Sequence, residues 1–314
     1  MGLPLVGQKA MGFRTMFGSW IAPGANVTYL GPAGVFEATF TENNRVATLN
    51  AAAARCRSGK GDVIFALPGY SESISAADFA TSLVAGTRLI SLGRPGASNN
   101  PTLTWTATAS TLLLDVADVE LAGFNLNFAG IDAVVAPITI SAAGCVLRDN
   151  HITVAAGAAG ATTPITVALG ADNCLIEGNK MLQTGTQTEV NIISITGAVD
   201  NLEIVGNKIS CLLTSATGGV IQVGAAATNL DIHHNLFLNS VEDGVAIRVA
   251  DTFAASGWVY KNYGKGIDAG GTVANALKLI SFEGTTESLI GCFENYFTDE
   301  SVASGALSPA VATT

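Results

Sequence analysis

Sliding the chain along itself by about 28 residues brings like onto like. Ile165, Ile193 and Ile221 fall together, as do Val167, Ile195 and Val223; Cys174, Leu202 and Leu230; Ile176, Ile204 and Ile232; and Met181, Ile209 and Phe237. Polar positions superpose as well: Thr166, Ser194 and Gln222; Asn173, Asn201 and Asn229; Asn179, Asn207 and Asn235. Asn150, Asn262 and Asn295 extend the last series at nearly the same spacing, with one longer step before Asn295. A period that governs both apolar and polar positions is the mark of stacked units, each touching only its neighbours.

Two solenoids fit this period. Leu202-Glu-Ile204-Val-Gly-Asn207-Lys-Ile209 matches the core of a leucine-rich repeat, which at this length returns through a helix. A helix needs apolar residues at i, i+3, i+4 and i+7. The connecting segments Pro164–Gly170, Asn191–Gly197 and Val220–Gly224 are instead β-branched, alternate with period two and end at glycine, so they read as strands. The expected fold is therefore all-β: a right-handed, single-stranded parallel β-helix of about 28 residues per coil. Coils stack at about 4.8 Å, so residues one period apart touch. The apolar series become inward ladders and Thr166/Ser194/Gln222 an outward one. Asn150, Asn179, Asn207, Asn235, Asn262 and Asn295 are expected to form a corner ladder, since asparagine tolerates positive φ and stacked amides can hydrogen-bond coil to coil.

The ends need closing, because an open coil exposes core and an unpaired edge. Asn43–Cys56 has apolar residues near helical spacing, polar N-terminal flanks and a Gly59 stop, which places a capping helix at about 44–57. The chain thus divides into an N-terminal arm, 1–44, for partner contact; a β-helix, 45–300; and a small, neutral tail, 301–314, read as flexible. The arm carries Phe13, Phe17, Trp20, Tyr29 and Phe36. Aromatics dominate interface hot spots, so Phe13, Phe17 and Trp20 are the expected anchors.

Charge narrows the function. Only 13% of residues are charged, with 15 Lys+Arg against 25 Asp+Glu and a net charge of −10, which excludes a basic nucleic-acid binder. No window is apolar for the ~18–20 residues a membrane span requires, and the N-terminus lacks the basic start of a secretory signal. The five cysteines include no CxxC pair and read as reduced core residues.

Parallel β-helices include polysaccharide lyases and hydrolases, whose chemistry needs two carboxylates facing one groove. The candidates are Asp172 with Asp200 and Glu203 with Asp231, each pair one period apart. The first pair precedes turn asparagines and is read as accepting backbone N–H bonds; the second points to solvent between inward leucines and isoleucines. A Ca²⁺ site would need these four clustered with Glu177. His233-His234 could share one ion only in an irregular turn, since strand neighbours face opposite sides. Lys180 and Lys208 stand beside the corner as surface charges. Of Trp20, Trp105 and Trp258, none stands beside a convincing acid pair. Arg57–Gly61 lacks the spacing of a phosphate loop, and Asn26-Val-Thr28 matches the glycosylation triplet without secretory context. No catalytic, metal or cofactor residue is assigned.

The run Val46–Ser75, then Leu89-Ile-Ser-Leu-Gly-Arg94 and the repeated coils, resembles right-handed parallel β-helix proteins of tailed bacteriophages, within the pectate-lyase-like β-helix superfamily. The resemblance covers roughly 45–300 and implies a capsid decoration, or cement, protein: a non-catalytic virion component on the outer capsid surface, binding the major capsid protein as a homotrimer and stabilising the shell. The alternatives are a spike-like polysaccharide lyase or hydrolase and a non-catalytic glycan-binding fibre.

Overall fold

A computed structural model describes residues 26–31, 45–75, 83–128, 134–154, 161–183, 191–211, 219–239, 245–250, 254–266, 278–282, 289–299 and 311–313. Its strands form three parallel sheets, and each regular coil adds one strand to each. The first sheet runs from Arg45–Val46 through Val27–Leu30 and Val63–Ala66, then coil by coil through Glu203–Val205, Ala227–His233 and Ala255–Tyr260 to Leu289–Phe293. The second stacks from Ser71–Ile74 to Tyr296–Asp299 and the third from Leu112–Leu114 to Val311–Thr313. This is the parallel β-helix expected from the period. Among the described residues the one helix is Leu49–Ala53, and no helix is long and apolar enough to cross a membrane.

The superposed residues are register partners. Ile165, Ile193 and Ile221 pair in series in the third sheet, Ile176, Ile204 and Ile232 in the first, and Met181, Ile209 and Phe237 in the second. Within one coil, Ile204, Ile209 and Ile221 come from three different sheets into a single interior, each fully buried. Burying a side chain of this size favours the fold by about 1.5–3 kcal/mol.

Three expectations change. The capping helix spans Leu49–Ala53 rather than 44–57: Thr48 caps it by accepting the Ala51 N–H at 3.2 Å, and Ala54 ends it well before Gly59. The arm does not extend to residue 44, because Val27–Leu30 pairs with Val63–Ala66 and buries Leu30 in the core. The tail contributes Val311–Thr313 to the third sheet beside Lys278–Phe282. In the last two cases a strand gains backbone hydrogen-bond partners that a free segment would leave to water.

Asp62 fixes the first of these strands. Its carboxylate, 1% exposed, accepts the Asn26 N–H at 2.6 Å, the Arg57 N–H at 2.8 Å and two guanidinium bonds from Arg57 at 2.8 and 3.0 Å. Burial pushes the carboxyl pKa up, but these donors together pull it below the usual value. A carboxyl depressed in the folded state stabilises fully above its unfolded pKa, about 3.9, and loses that contribution as pH falls through the folded value. Acid titration of the fold by circular dichroism should therefore show a loss of stability below about pH 4. Asp62→Asn should flatten that loss and lower stability at neutral pH; an unchanged acid profile would refute the assignment.

Candidate functional site

The corner between the first and second sheets is built on asparagine. Asn207 Oδ1 accepts both the Asn179 N–H and Asn179 Nδ2 at 3.0 Å, while Asn207 Nδ2 donates to Ile176 O at 2.8 Å and Asn235 Oδ1 at 3.0 Å. The pattern repeats unbroken from Asn150 through Asn179, Asn207, Asn235 and Asn262 to Asn295. Asn150 to Asn262 are at most 1% exposed. The positive φ, however, does not fall on these asparagines. It falls on the residue before each: Asp149, Gly178, Gly206, His234, Lys261 and Glu294. The ladder amides turn inward to satisfy the corner, and their predecessors make the bend. At the opposite end of each first-sheet strand, Asn173, Asn201 and Asn229 do take positive φ. From Asn150 to Asn262 the side-chain amides are spent on bonds inside the wall, which ties each coil to the next.

Of the two acid pairs, Asp172 and Asp200 belong to that second corner. Asp172 Oδ1 accepts the Asp200 N–H at 2.8 Å; Asp200 Oδ1 accepts Thr228 Oγ1 at 2.7 Å and Asn229 Nδ2 at 3.0 Å. Glu203 and Asp231 instead pair in register on the outer face of the first sheet. His233 Nε2 lies 3.0 Å from Glu203 Oε1 and 3.9 Å from Asp231 Oδ2. Burial pushes the Asp231 carboxyl up, the Glu203 charge adds to this, and His233 and His234 oppose it. Asp231 Oδ1 is buried without a hydrogen-bond partner.

The next residue in this outer column is Trp258, in register with Asp231, and then Gly291. The sequence reading that no tryptophan stands beside an acid pair is thus corrected. The neighbouring outward column runs Glu177, Val205, His233, Tyr260 and Phe293. Tyr260 stacks on His233 at 4.7 Å and on Phe293 at 4.8 Å, and Trp258 meets Phe293 edge-on at 5.9 Å. Across the asparagine corner Tyr263 stacks on Tyr296 at 5.4 Å. Among the described residues, Trp258, Tyr263, Leu289, Phe293 and Tyr296 make up most of the exposed large apolar side chains, and all lie in the last two coils.

Toward the other end the same face changes character. Glu120 sits between Arg88 and Arg148, with Arg148 Nε at 2.7 Å from Glu120 Oε1 and Arg148 Nη1 at 2.8 Å from Asp149. Beyond it Val63, Phe65 and Ile90 form a small apolar cluster with Val27, Tyr29 and Leu92. The outer face of this sheet is therefore graded along the axis: apolar, ion-paired, acidic, then aromatic.

His233 and His234 do meet in an irregular corner, at φ +55° for His234, with Nδ1 atoms 2.7 Å apart, a distance that fits a shared hydrogen. Among the described residues no group of three His, Cys, Asp or Glu could hold a metal ion. Burial, with a smaller effect from Lys180, lowers the His151 pKa. Lys180 and Lys208 pair in register on the second sheet, both exposed. Cys145, Cys174 and Cys211 are buried and not in disulfides. Phe13, Phe17 and Trp20 lie outside the described residues.

No family model matches the chain, and no curated protein does. Among solved structures, the alginate lyase of Paenibacillus sp. str. FPU-7 is similar at 14% identity over 79% of this chain and 92% of that one, with a TM-score of 0.34. The pectin methylesterase of Aspergillus niger is similar at 13% identity over 93% of each chain, with a TM-score of 0.34. A periplasmic alginate epimerase follows at 14% identity, 82% and 66% coverage and a TM-score of 0.21. Values this low carry no functional argument.

Proposed function

We propose that this chain is a structural, non-catalytic component of a tailed-phage virion, seated on the outer capsid surface as a decoration protein. It binds the major capsid protein as a homotrimer and stiffens the shell by adding contacts between subunits. The observation that carries this reading is the run Val46–Ser75 with its following coils, which resembles proteins of that kind. The architecture suits the role. A wall whose corner amides are bonded from Asn150 to Asn295 loses little conformational freedom on docking, and repeated weak contacts on a lattice then sum to tight attachment.

Phe13, Phe17 and Trp20 are the proposed anchors. Because Val27–Leu30 belongs to the first sheet, the cut that tests them falls before Asn26. The full chain should co-sediment saturably with purified shells, and the chain lacking residues 1–25 should bind at least tenfold more weakly with an unchanged melting profile. Retained binding after truncation would overturn the arm assignment. Failure of both forms to bind, or release of reducing ends from bacterial polysaccharide, would overturn the shell role itself.

A further inference from the structure

The exposed aromatic end of the first sheet's outer face plays no part in the shell reading. We propose that Trp258, with Asp231 beside it, forms a binding platform for a neutral glycan. A Cβ on Gly291 would overlap the six-membered ring of Trp258, so the indole fills the space that only a glycine at 291 leaves open. It remains 56% exposed. Phe293 holds its edge, and Phe293 is itself fixed by stacking on Tyr260 and, through it, on His233. The ring is therefore oriented before any ligand arrives, which lowers the entropic cost of binding.

One coil away, about 4.8 Å along the axis, stands Asp231. Its side chain is 37% exposed, and Glu203, one coil further and 45% exposed, is braced by His233. A flat apolar surface flanked by placed acceptors fits a molecule with an apolar face and a rim of hydroxyl donors. A pyranose ring stacked on the indole has that form: C–H groups toward the ring, hydroxyls toward the carboxylates. Charge decides the class. Glu203, Asp231 and a net charge of −10 disfavour uronate or sulfated polymers. A protein partner is disfavoured because interface centres are depleted of charge, and covering the partly exposed Glu203 and Asp231 carboxylates without donors would desolvate both.

The test is native electrophoresis of the full chain through gels cast with mannan, dextran or arabinoxylan, and through a polygalacturonate gel. Retardation is expected on at least one neutral gel and not on polygalacturonate. Trp258→Ala should weaken it at least tenfold and Asp231→Asn severalfold, both with unchanged melting temperatures. No retardation on any neutral gel overturns the proposal, as does retardation on polygalacturonate alone or a Trp258→Ala chain that migrates like the parent. A lower mass of Trp258→Ala in light scattering would also overturn it, since the face would then be covered by a second copy. None of these outcomes depends on shell binding.

Discussion

Asn207→Ala is expected to destabilise the β-helix by about 4 kcal/mol or more, far beyond the ~1 kcal/mol typical of a polar-to-alanine change. The truncation removes an acceptor from the Asn179 N–H and Nδ2 and a donor from Ile176 O, Val205 O and Asn235 Oδ1. The site is 1% exposed, so water does not replace the partners without opening the corner. Each buried group left unpaired costs about 1–3 kcal/mol. Asn295→Ala, at the partly exposed end of the ladder, should cost only about 1–2 kcal/mol because solvent can reach the freed groups. Asn207→Asp tests the amide itself. It keeps the acceptor but loses the donor, sets oxygen against Asn235 Oδ1 and buries a charge, so it should be at least as damaging as alanine. Guanidinium midpoints followed by circular dichroism decide the matter; equal losses at positions 207 and 295 would refute the ladder's role.

How far the sequence revealed this wall follows from its geometry. Parallel stacking makes residues one period apart direct neighbours, so Ile165/Ile193/Ile221 and Ile176/Ile204/Ile232 were readable as contacts without coordinates. The asparagine series was readable for the same reason. What its side chains do was not fully readable, because positive φ and amide stacking both favour asparagine. The structure divides the two tasks between adjacent residues, and only the Gly178-Asn179 and Gly206-Asn207 pairs hint at that division. The Asp231–Trp258 adjacency was hidden by a change of step. Were the period strict, Asp231 would face Val259, but the register shifts between Ala227 and Leu230, and Trp258 takes the place. Arg88 and Glu120 escaped notice because their coils lack the asparagine that sets the frame, and with Glu120 went the partner of Arg148.

The same irregular coil supplies the last expected result. Gly257→Ala should release the final coils while leaving the earlier ones intact. Gly257 adopts φ +139°, a conformation side-chain-bearing residues rarely take, and a Cβ there would overlap the carbonyl oxygen of Leu230. Neither atom belongs to a flexible side chain, so the strand Ala255–Tyr260 must move, at a cost of about 3 kcal/mol or more. Gly206→Ala offers the contrast: its φ is +64°, and the nearest backbone atom to a Cβ is Gly178 N at 3.9 Å. There the penalty is confined to the left-handed conformation, about 1–2 kcal/mol. In a solenoid each coil is held chiefly by its neighbours, so damage at Gly257 should propagate toward Leu289–Phe293 and stop short of Ile193–Ile195. Hydrogen exchange should accordingly rise at least a hundredfold at Trp258–Tyr260 and Gly291–Phe293, with protection at Ile193–Ile195 unchanged. Glycan retardation should vanish with it, because Trp258 loses both its Gly291 floor and its Phe293 edge. Uniform loss of protection along the chain would show instead that the coils unfold as one unit.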